Sequence, residues 1–349
     1  MFEEIRGEEL QGIGVESSST TDPYSMFLFA MRSPKTREKC TGRLRMFFDF
    51  IGIPGDSMVE RSKVFCERAK NYDNSSGCSG WAFSSIIQYM QHQKERAERK
   101  QITAGTVKNY FQVIKLFCEM SDISLPWKRI SRGLPKSRKF ADDRAPTIEE
   151  ISKIIEYPDR RIKTIIYTMA SSGIRVGAWD YLKWKHIIPI QKNGQVIAAK
   201  LIVYAGENDE YLTFISAEAY NELEKWKEYR IQSGESVEVN SWVMRNIWNT
   251  KKGYTRGLVS APVKLKSEGV KRLVEDALWT QGLRKKLDTN KKRHEFQTDH
   301  GLRKWFKTRC ELAGMKPINI EILMNHSTGI SDSYYRATES ELLEDYLKA

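Results

Sequence analysis

Five side chains in the second half of the chain are of the types that a transesterification at phosphorus needs. They are two arginines, two histidines and a tyrosine: Arg175, His300, Arg303, His326 and Tyr335. A planar arginine fork can hold two phosphate oxygens at once and stays charged while negative charge builds. A histidine can bind a phosphate oxygen or exchange a proton, and a tyrosine hydroxyl can attack phosphorus where cations favour its ionised form. The ordered set therefore predicts a phosphodiester that is broken and rejoined through a covalent tyrosine intermediate.

The local sequence indicates how the arginines are placed. Arg175 follows Ser171-Ser172-Gly173, a sequence that favours a tight turn with one side chain in a cleft. Arg303 comes three residues after His300, and this spacing puts both side chains on one face of a helix. A single His-x-x-Arg pair occurs often by chance, and a single histidine or tyrosine is usually structural. The prediction therefore depends on the whole ordered set.

This ordered set strongly resembles the tyrosine recombinase family, the phage-type integrases. The resemblance covers residues 147–349, and its motifs are Gly173-Ile174-Arg175-Val176 continued by Leu182, Trp184 and Ile187, then His300-Gly301-Leu302-Arg303, Asn325-His326-Ser327, and Tyr335. The run from His326 to Arg336 is most similar to archaeal integrases. The resemblance implies catalytic roles for Arg175, Lys200, His300, Arg303, His326 and Tyr335, and a reaction without metal or cofactor, since the bond energy is kept in the phosphotyrosine.

Two positions depart from the family pattern. Ala178 stands where the family often has an acidic residue, three positions after the first arginine. The family's catalytic lysine usually lies in the turn of a β-hairpin, but the corresponding turn, Ala205-Gly206-Glu207-Asn208, contains no lysine. Lys200, on the strand before this turn, is the candidate, and Lys192 is the alternative.

The tyrosine is doubled, because Tyr334 precedes Tyr335. The distance from His326 favours Tyr335 as the nucleophile, and Arg336 behind it fits the family's frequent Tyr-Arg pair. Tyr334 is the alternative nucleophile.

Chain length, charge, cysteine spacing and hydropathy indicate the general class of protein. The chain has 349 residues, enough for two or three domains, and its formal net charge of +12 favours a polyanionic partner such as nucleic acid. Its five cysteines are scattered, without the Cys-x-x-Cys spacing of a zinc site, so free thiols and no bound metal are expected. No run of eighteen apolar residues is present, and the first residues are acidic. The sequence thus predicts a soluble cytoplasmic protein, nucleoid-associated or in a host cytoplasm.

Composition and periodicity divide the chain into four parts. Residues 1–22 are rich in Glu, Gly, Ser and Thr and are expected to form a flexible leader. Residues 23–135 carry aromatic stripes at helical spacing and resemble the family's helical core DNA-binding domain. Residues 136–146 are basic and proline-containing, as in a linker, and three of them, Lys136, Arg138 and Lys139, are candidates for contact with a DNA backbone.

The fourth part, residues 147–349, begins with a capping box at Thr147 and Glu150. The spacing predicts mainly helices with a small β-hairpin formed by Val196–Tyr204 and Tyr211–Ile215. Together with these elements, the resemblance implies a helical N-terminal domain plus a mixed, mainly α (α+β) catalytic domain of the DNA breaking-rejoining type. Residues 231–297 give no clear pattern. A final helix carries an apolar stripe, Leu342, Leu343, Tyr346 and Leu347, which fits either its own domain or a neighbouring subunit.

The resemblance implies a site-specific recombinase that integrates or excises a mobile or viral element. It would act on double-stranded DNA through a 3′-phosphotyrosyl intermediate, as a homotetramer on two DNA sites. Two alternatives use the same residues. One is a type IB topoisomerase-like or telomere-resolving enzyme with the same chemistry, and the other is a catalytically inactive DNA-binding relative.

Overall fold

The chain divides into two compact units, Met1–Lys139 and Phe140–Ala349. The computed structural model describes residues 22–73, 80–136, 143–247, 259, 262–287, 294–329 and 334–349. The predicted leader, apart from its last residue, and two linker residues, Arg138 and Lys139, lie outside the described residues, whereas Lys136 is exposed. Within the described ranges, no helix combines the length and the apolar character that a membrane crossing requires.

The described part of the first unit consists of six helices: α1 (Pro23–Phe29), α2 (Pro34–Phe50), α3 (Met58–Asp73), α4 (Trp81–Glu98), α5 (Ala104–Met120) and α6 (Trp127–Arg132). Asp22 and Thr103 accept backbone N–H groups at the starts of α1 and α5, which satisfies donors that the first turn of a helix leaves free. These caps explain where the two helices begin.

Aromatic residues form the core of the first unit. The ring of Phe48 lies 5.5 Å from those of both Phe65 and Phe117, and the ring of Phe47 lies 5.2 Å from that of Tyr89. All five side chains are almost completely buried. Ring pairs at these distances add to the hydrophobic stabilisation from burial. The aromatic stripes of the sequence are therefore core, as their helical spacing predicted.

The second unit is mainly helical with one small antiparallel sheet, so the predicted fold class is confirmed. Its described elements are α7 (Ile148–Ile155), α8 (Arg160–Ser172), 3₁₀ helices at Val176–Asp180 and Trp184–His186, β1 (Ile187–Lys192), β2 (Gln195–Val203), β3 (Tyr211–Ser216), α9 (Ala217–Gln232), α10 (Ser267–Thr280), α11 (Thr298–Leu312), α12 (Pro317–Leu323) and α13 (Glu339–Tyr346). The sheet order is β1-β2-β3.

Two of these elements were missed by the sequence prediction. Strand β1 begins at Ile187 and pairs with β2 as an edge strand. Pro189 has no backbone N–H to donate, and it is tolerated in an edge strand because the outer side has no neighbouring strand to accept a hydrogen bond. Helix α10 lies in the stretch that gave no clear pattern, and its buried face is carried by Val270, Val274 and Ala277.

The two faces of the sheet pack against different groups of side chains. Ala199, Leu201 and Val203 of β2 point into the larger core of the unit. Ala198 of β2 and Phe214 of β3 contribute to a second cluster that includes Tyr346 of α13. The final helix therefore packs on its own unit, with Leu342 and Tyr346 buried, which is one of the two placements left open by its apolar stripe.

A buried ion triad joins the end of α9 to the chain that follows it. The Glu235 carboxylate accepts hydrogen bonds from Arg230 Nη2 at 2.6 Å and from Arg245 Nη1 at 2.7 Å. All three residues are under 5% exposed. Burial opposes ionisation of Glu235, but the bonds to both guanidinium groups outweigh burial and lower its pKa below the ordinary value of 4.5.

Removing the negative charge from this triad takes away the carboxylate that the two buried guanidinium groups share. We expect Glu235→Gln to lower the free energy of unfolding by about 3–5 kcal/mol at neutral pH. Glu238→Gln, at a nearby exposed position, is the control and should stay within about 0.5 kcal/mol of the wild type. Urea denaturation measures both variants.

The same variant has a pH signature. Because the folded-state pKa of Glu235 is depressed, the stabilisation from its charge is complete above about pH 4.5. This stabilisation is lost as the pH falls further. The stability difference between wild type and Glu235→Gln should therefore shrink on acidification. A difference that stays constant down to strongly acidic pH would contradict an ionised Glu235.

Candidate active site

Arg175 is placed by the turn that ends α8. Gly173 has a left-handed backbone with φ of 62°, which glycine adopts without steric cost, and a Cβ atom there would lie 2.5 Å from a ring carbon of Phe306. The chain then passes through buried Ile174, and Arg175 begins the first 3₁₀ helix. Its Nη2 donates to the carbonyl oxygen of Asn325 at 3.1 Å. The turn predicted around Ser171-Ser172-Gly173 is present at this position.

Arg303 is buried on α11 and joins two distant turns. Its Nη1 donates to the Gly173 carbonyl oxygen, and its Nη2 donates to the Met324 carbonyl oxygen at 3.2 Å and contacts His326 Nε2 at 2.7 Å. Burial and the nearby charge of Arg175 lower the pKa of Arg303, although a guanidinium group remains charged in proteins. Arg303 thus places a buried positive charge directly behind the cleft that Arg175 lines.

His326 is positioned by the C-terminal end of α12. Asn325 has a left-handed backbone with φ of 51°, and the backbone N–H of His326 returns to the Glu321 carbonyl oxygen at 2.9 Å. This geometry closes a helix with a left-handed residue, usually glycine and sometimes asparagine. It explains why an asparagine is accommodated at position 325. The imidazole Nδ1 lies 2.5 Å from Glu321 Oε2.

An open cleft of about 510 Å³ lies in front of these groups, lined by Arg175, Tyr204, Asp209, Asn325, His326 and Ser327. Tyr204 and Asp209 come from the turn between β2 and β3. The ring of Tyr204 packs edge-on against that of Tyr181 at 5.3 Å. Burial raises the pKa of Tyr204, and the charges of Arg175 and Arg303 offset part of this rise. The cleft is therefore polar, with positive charge at its base.

Three of the residues that build this site are absent from the sequence prediction. Tyr204 and Asp209 lie in the hairpin turn, for which only a lysine was considered, and Glu321 lies on a short apolar helix. Asp209 is an acidic side chain at the cleft, although the position where the family often has one is the buried Ala178. A carboxylate five residues before His326 is the one signal that the sequence offered for Glu321.

Both candidate lysines lie away from the lining of the cleft. Lys200 of β2 pairs with Phe214, and its Nζ lies 3.0 Å from the carboxylate of Glu339 at the start of α13. Lys192, at the end of β1, is exposed. His300 is exposed on the first turn of α11, and within the described residues its ring makes no hydrogen bond.

Tyr335 is held by a separate network. Its hydroxyl donates to Asn319 Oδ1 at 2.8 Å, and Asn319 Nδ2 donates to Asp345 Oδ2 at 2.7 Å. The Asp345 carboxylate also accepts from the backbone N–H of Lys316 at 2.9 Å. No described hydrogen bond joins Tyr335 to the arginines or to His326, so the structure connects Arg175, Arg303 and His326 and holds the tyrosine in a different network. Tyr334 is 84% exposed.

No cluster of three or more His, Cys, Asp or Glu side chains that could hold a metal ion occurs in the described ranges. Four cysteines, Cys40, Cys66, Cys118 and Cys310, are buried free thiols, and Cys78 lies outside these ranges.

Solved structures of tyrosine recombinases share this fold at low sequence identity. The Tn1549 transposon integrase in complex with circular intermediate DNA matches with a TM-score of 0.51 and 12% identity, over 93% of this chain and 98% of that one. A lambda integrase dimer bound to a COC′ core site matches with a TM-score of 0.51 and 15% identity, over 90% and 96% of the two chains. No protein-family model matches, and no curated protein gives a significant match. The likeness is one of fold.

The turn at Gly173 supplies a test of how the site is assembled. We expect Gly173→Ala to cost about 2–4 kcal/mol, because a left-handed alanine and a collision with Phe306 act together. Gly194→Ala is the matched control, with φ of 77° and no atom within 4 Å of the added Cβ, and should cost about 1–2 kcal/mol from backbone strain alone. Chemical denaturation compares the two. Equal losses would show that Phe306 accommodates the methyl group.

Proposed function

We propose that this chain is a site-specific DNA recombinase of the integrase type. The observation that supports the proposal is that Arg175 and His326 line one open cleft and that the buried guanidinium group of Arg303 contacts His326. Tyr335 attacks the scissile phosphate, the phosphorus–oxygen bond to the 5′ oxygen breaks, and a 3′-phosphotyrosyl link and a 5′-hydroxyl result. Attack by the 5′-hydroxyl of another DNA then restores the phosphodiester and completes the exchange.

The two arginines have different parts in this proposal. Arg175 makes one described hydrogen bond, to the Asn325 carbonyl oxygen, so other N–H groups remain for a phosphate held in the cleft. Arg303 gives its Nη groups to backbone carbonyls and to His326, so it braces the site and contributes charge from behind. Proteins catalyse phosphoryl transfer mainly by stabilising the developing charge with preorganised hydrogen-bond donors.

Two side chains must leave their present partners for the reaction. Tyr335 exchanges its bond to Asn319 for a place at the phosphate. Lys200, which we propose as the donor of a proton to the leaving 5′ oxygen, exchanges its pairing with Glu339, and Lys192 remains the alternative. His300, exposed on the first turn of α11, is proposed to contact the phosphate, and His326 lies at the cleft itself.

The partner is proposed to be double-stranded DNA, and the complex a homotetramer on two sites. The net charge of +12 supports a DNA partner, and the two similar integrase structures are complexes with DNA. Residues 23–135 are the proposed core DNA-binding domain. Three basic residues of linker 136–146 are proposed to contact the DNA backbone: Lys136, Arg138 and Lys139. We also propose that the chain is related to archaeal integrases, because of the sequence from His326 to Arg336. Its proposed location is the cytoplasm, associated with DNA.

The covalent intermediate is the direct test. A suicide DNA, nicked so that the cleaved strand diffuses away, should trap wild-type protein on the DNA 3′ end. Tyr335→Phe should reduce the adduct to background, because the attacking oxygen is missing. Tyr334→Phe is the matched control at the adjacent exposed position and should form wild-type amounts. Denaturing gels with labelled DNA measure each adduct.

The outcomes of this experiment separate the alternatives. An adduct lost in Tyr334→Phe but kept in Tyr335→Phe would assign the nucleophile to Tyr334. No wild-type adduct would point to an inactive DNA-binding relative. An adduct without joining of two different duplexes would point to a topoisomerase-like or telomere-resolving enzyme.

The proposed proton donor has its own test. Lys200→Ala should slow cleavage about 10²–10⁴-fold, the usual contribution of a general acid. DNA with sulfur in place of the leaving 5′ oxygen should largely restore the rate, because a thiolate leaves without a proton. Lys192→Ala should be close to wild type on both DNAs. If sulfur rescues Lys192→Ala instead, the proton donor is Lys192.

A further inference from the structure

Glu321 is bound to His326 through both its backbone and its side chain. Its carbonyl oxygen accepts from the His326 N–H at 2.9 Å, and its Oε2 lies 2.5 Å from His326 Nδ1. Lys307 of α11 binds the other carboxylate oxygen. Burial opposes ionisation of Glu321, but the bonds from Lys307 and His326 outweigh burial and lower its pKa below the ordinary value. A negative charge is therefore fixed beside the imidazole.

The contact with Arg303 determines which imidazole nitrogen carries the proton. A guanidinium nitrogen can only donate, so Arg303 Nη2 donates to His326 Nε2, 2.7 Å away, and Nε2 presents its lone pair. The ring proton is then on Nδ1, where it is donated to Glu321 Oε2. His326 is thus a neutral imidazole whose basic nitrogen lies at the cleft and whose other nitrogen is tied to a carboxylate.

From this geometry we propose that Glu321 is a positioning residue that holds His326 as the proton acceptor for the attacking tyrosine. The inference rests on the proposed function. The phenol of Tyr335 replaces Arg303 as the partner of Nε2, and its proton moves to Nε2 as the oxygen–phosphorus bond forms. The bond from phosphorus to the 5′ oxygen breaks, and that oxygen takes its proton from the general acid or from water. The imidazolium that forms is stabilised by Glu321.

His300 is the other histidine that could accept this proton, and its surroundings differ. It is exposed on the first turn of α11, and no hydrogen bond within the described residues fixes its tautomer. A base is effective when its lone pair is held towards the proton that it removes. The geometry therefore favours His326 as the acceptor over His300.

The charged and titratable groups around His326 come from three parts of the fold. Helix α11 supplies Arg303 and Lys307, α12 supplies Glu321, and the cleft adds Arg175, Tyr204 and Asp209. Of these, Glu321 is the carboxylate in direct contact with the ring. Its replacement should therefore affect His326 more than replacement of any other acidic group there.

The test is single-turnover cleavage of suicide DNA at saturating protein. Glu321→Gln keeps a hydrogen-bond acceptor but removes the charge, and we expect a rate about 10–100-fold lower with unchanged DNA affinity. Lys307→Met removes the other partner of the same carboxylate without touching His326, and should change the rate by less than about 3-fold. In a His326→Gln background, Glu321→Gln should have no further effect, because the two residues act as a unit.

The pH dependence of the rate distinguishes a base from a structural brace. A carboxylate beside an imidazole favours the charged form of the ring, and Glu321→Gln removes that carboxylate charge. The acid limb of the rate profile should then move to lower pH in Glu321→Gln. A brace would change the rate equally at every pH, and a histidine that acts as a cation on the phosphate would move the alkaline limb instead. Either result overturns the inference.

A measurement on the wild-type protein covers the case in which Glu321→Gln does not fold. Nitrogen NMR of histidine-labelled protein should show one ring with the proton on Nδ1, and this signal should be absent from His326→Gln. A proton on Nε2 of His326 overturns the inference. A wild-type adduct with unchanged Glu321→Gln kinetics overturns the inference alone, whereas absence of any wild-type adduct overturns the proposed function as well.

Discussion

The organisation of the second unit depends on one buried guanidinium group. Arg303 is 5% exposed, and a charge at such a depth is tolerated only when hydrogen-bond acceptors surround it. The acceptors are the carbonyl oxygen of Gly173 after α8 and that of Met324 after α12, together with the imidazole of His326. The turn after α8 and the turn after α12 are about 150 residues apart in the chain. The side chain of Arg303 therefore fixes both turns, one of which carries Arg175 and the other His326. The cleft forms between these turns because the hydrogen bonds of Arg303 hold them in place.

Helix α12, seven residues long, separates the two halves of the proposed chemistry. Its Glu321 holds His326 on the cleft side, and its Asn319 holds the hydroxyl of Tyr335 in a network with Asp345 of α13. The proposed phosphate-binding groups are thus held together by the protein itself, and the proposed nucleophile is bonded to Asn319. In the proposed reaction, Tyr335 must exchange this hydrogen bond for contacts with the phosphate.

Much of this arrangement followed from sequence, for identifiable reasons. Gly173 before Arg175, and the capped aromatic helices of the first unit, are local signals, and local signals determine turns and helices well. That Arg175, Arg303 and His326 lie close together was expected because their order resembles that of a known family. Contacts across the fold left no local trace: Lys200 faces Glu339, and Tyr335 binds Asn319. Strand β1 was missed because Ile187 and Pro189 continue an apolar run, and an edge strand needs only one partner.

The most direct measurement is the structure of the covalent complex with suicide DNA. The account predicts phosphorus bonded to the oxygen of Tyr335, with the phosphate in the cleft within hydrogen-bond reach of Arg175, and with Arg303 still bound to the carbonyls of Gly173 and Met324. A phosphate bound away from this cleft, with Arg175 turned into solvent or the carbonyl contacts of Arg303 broken, would contradict it.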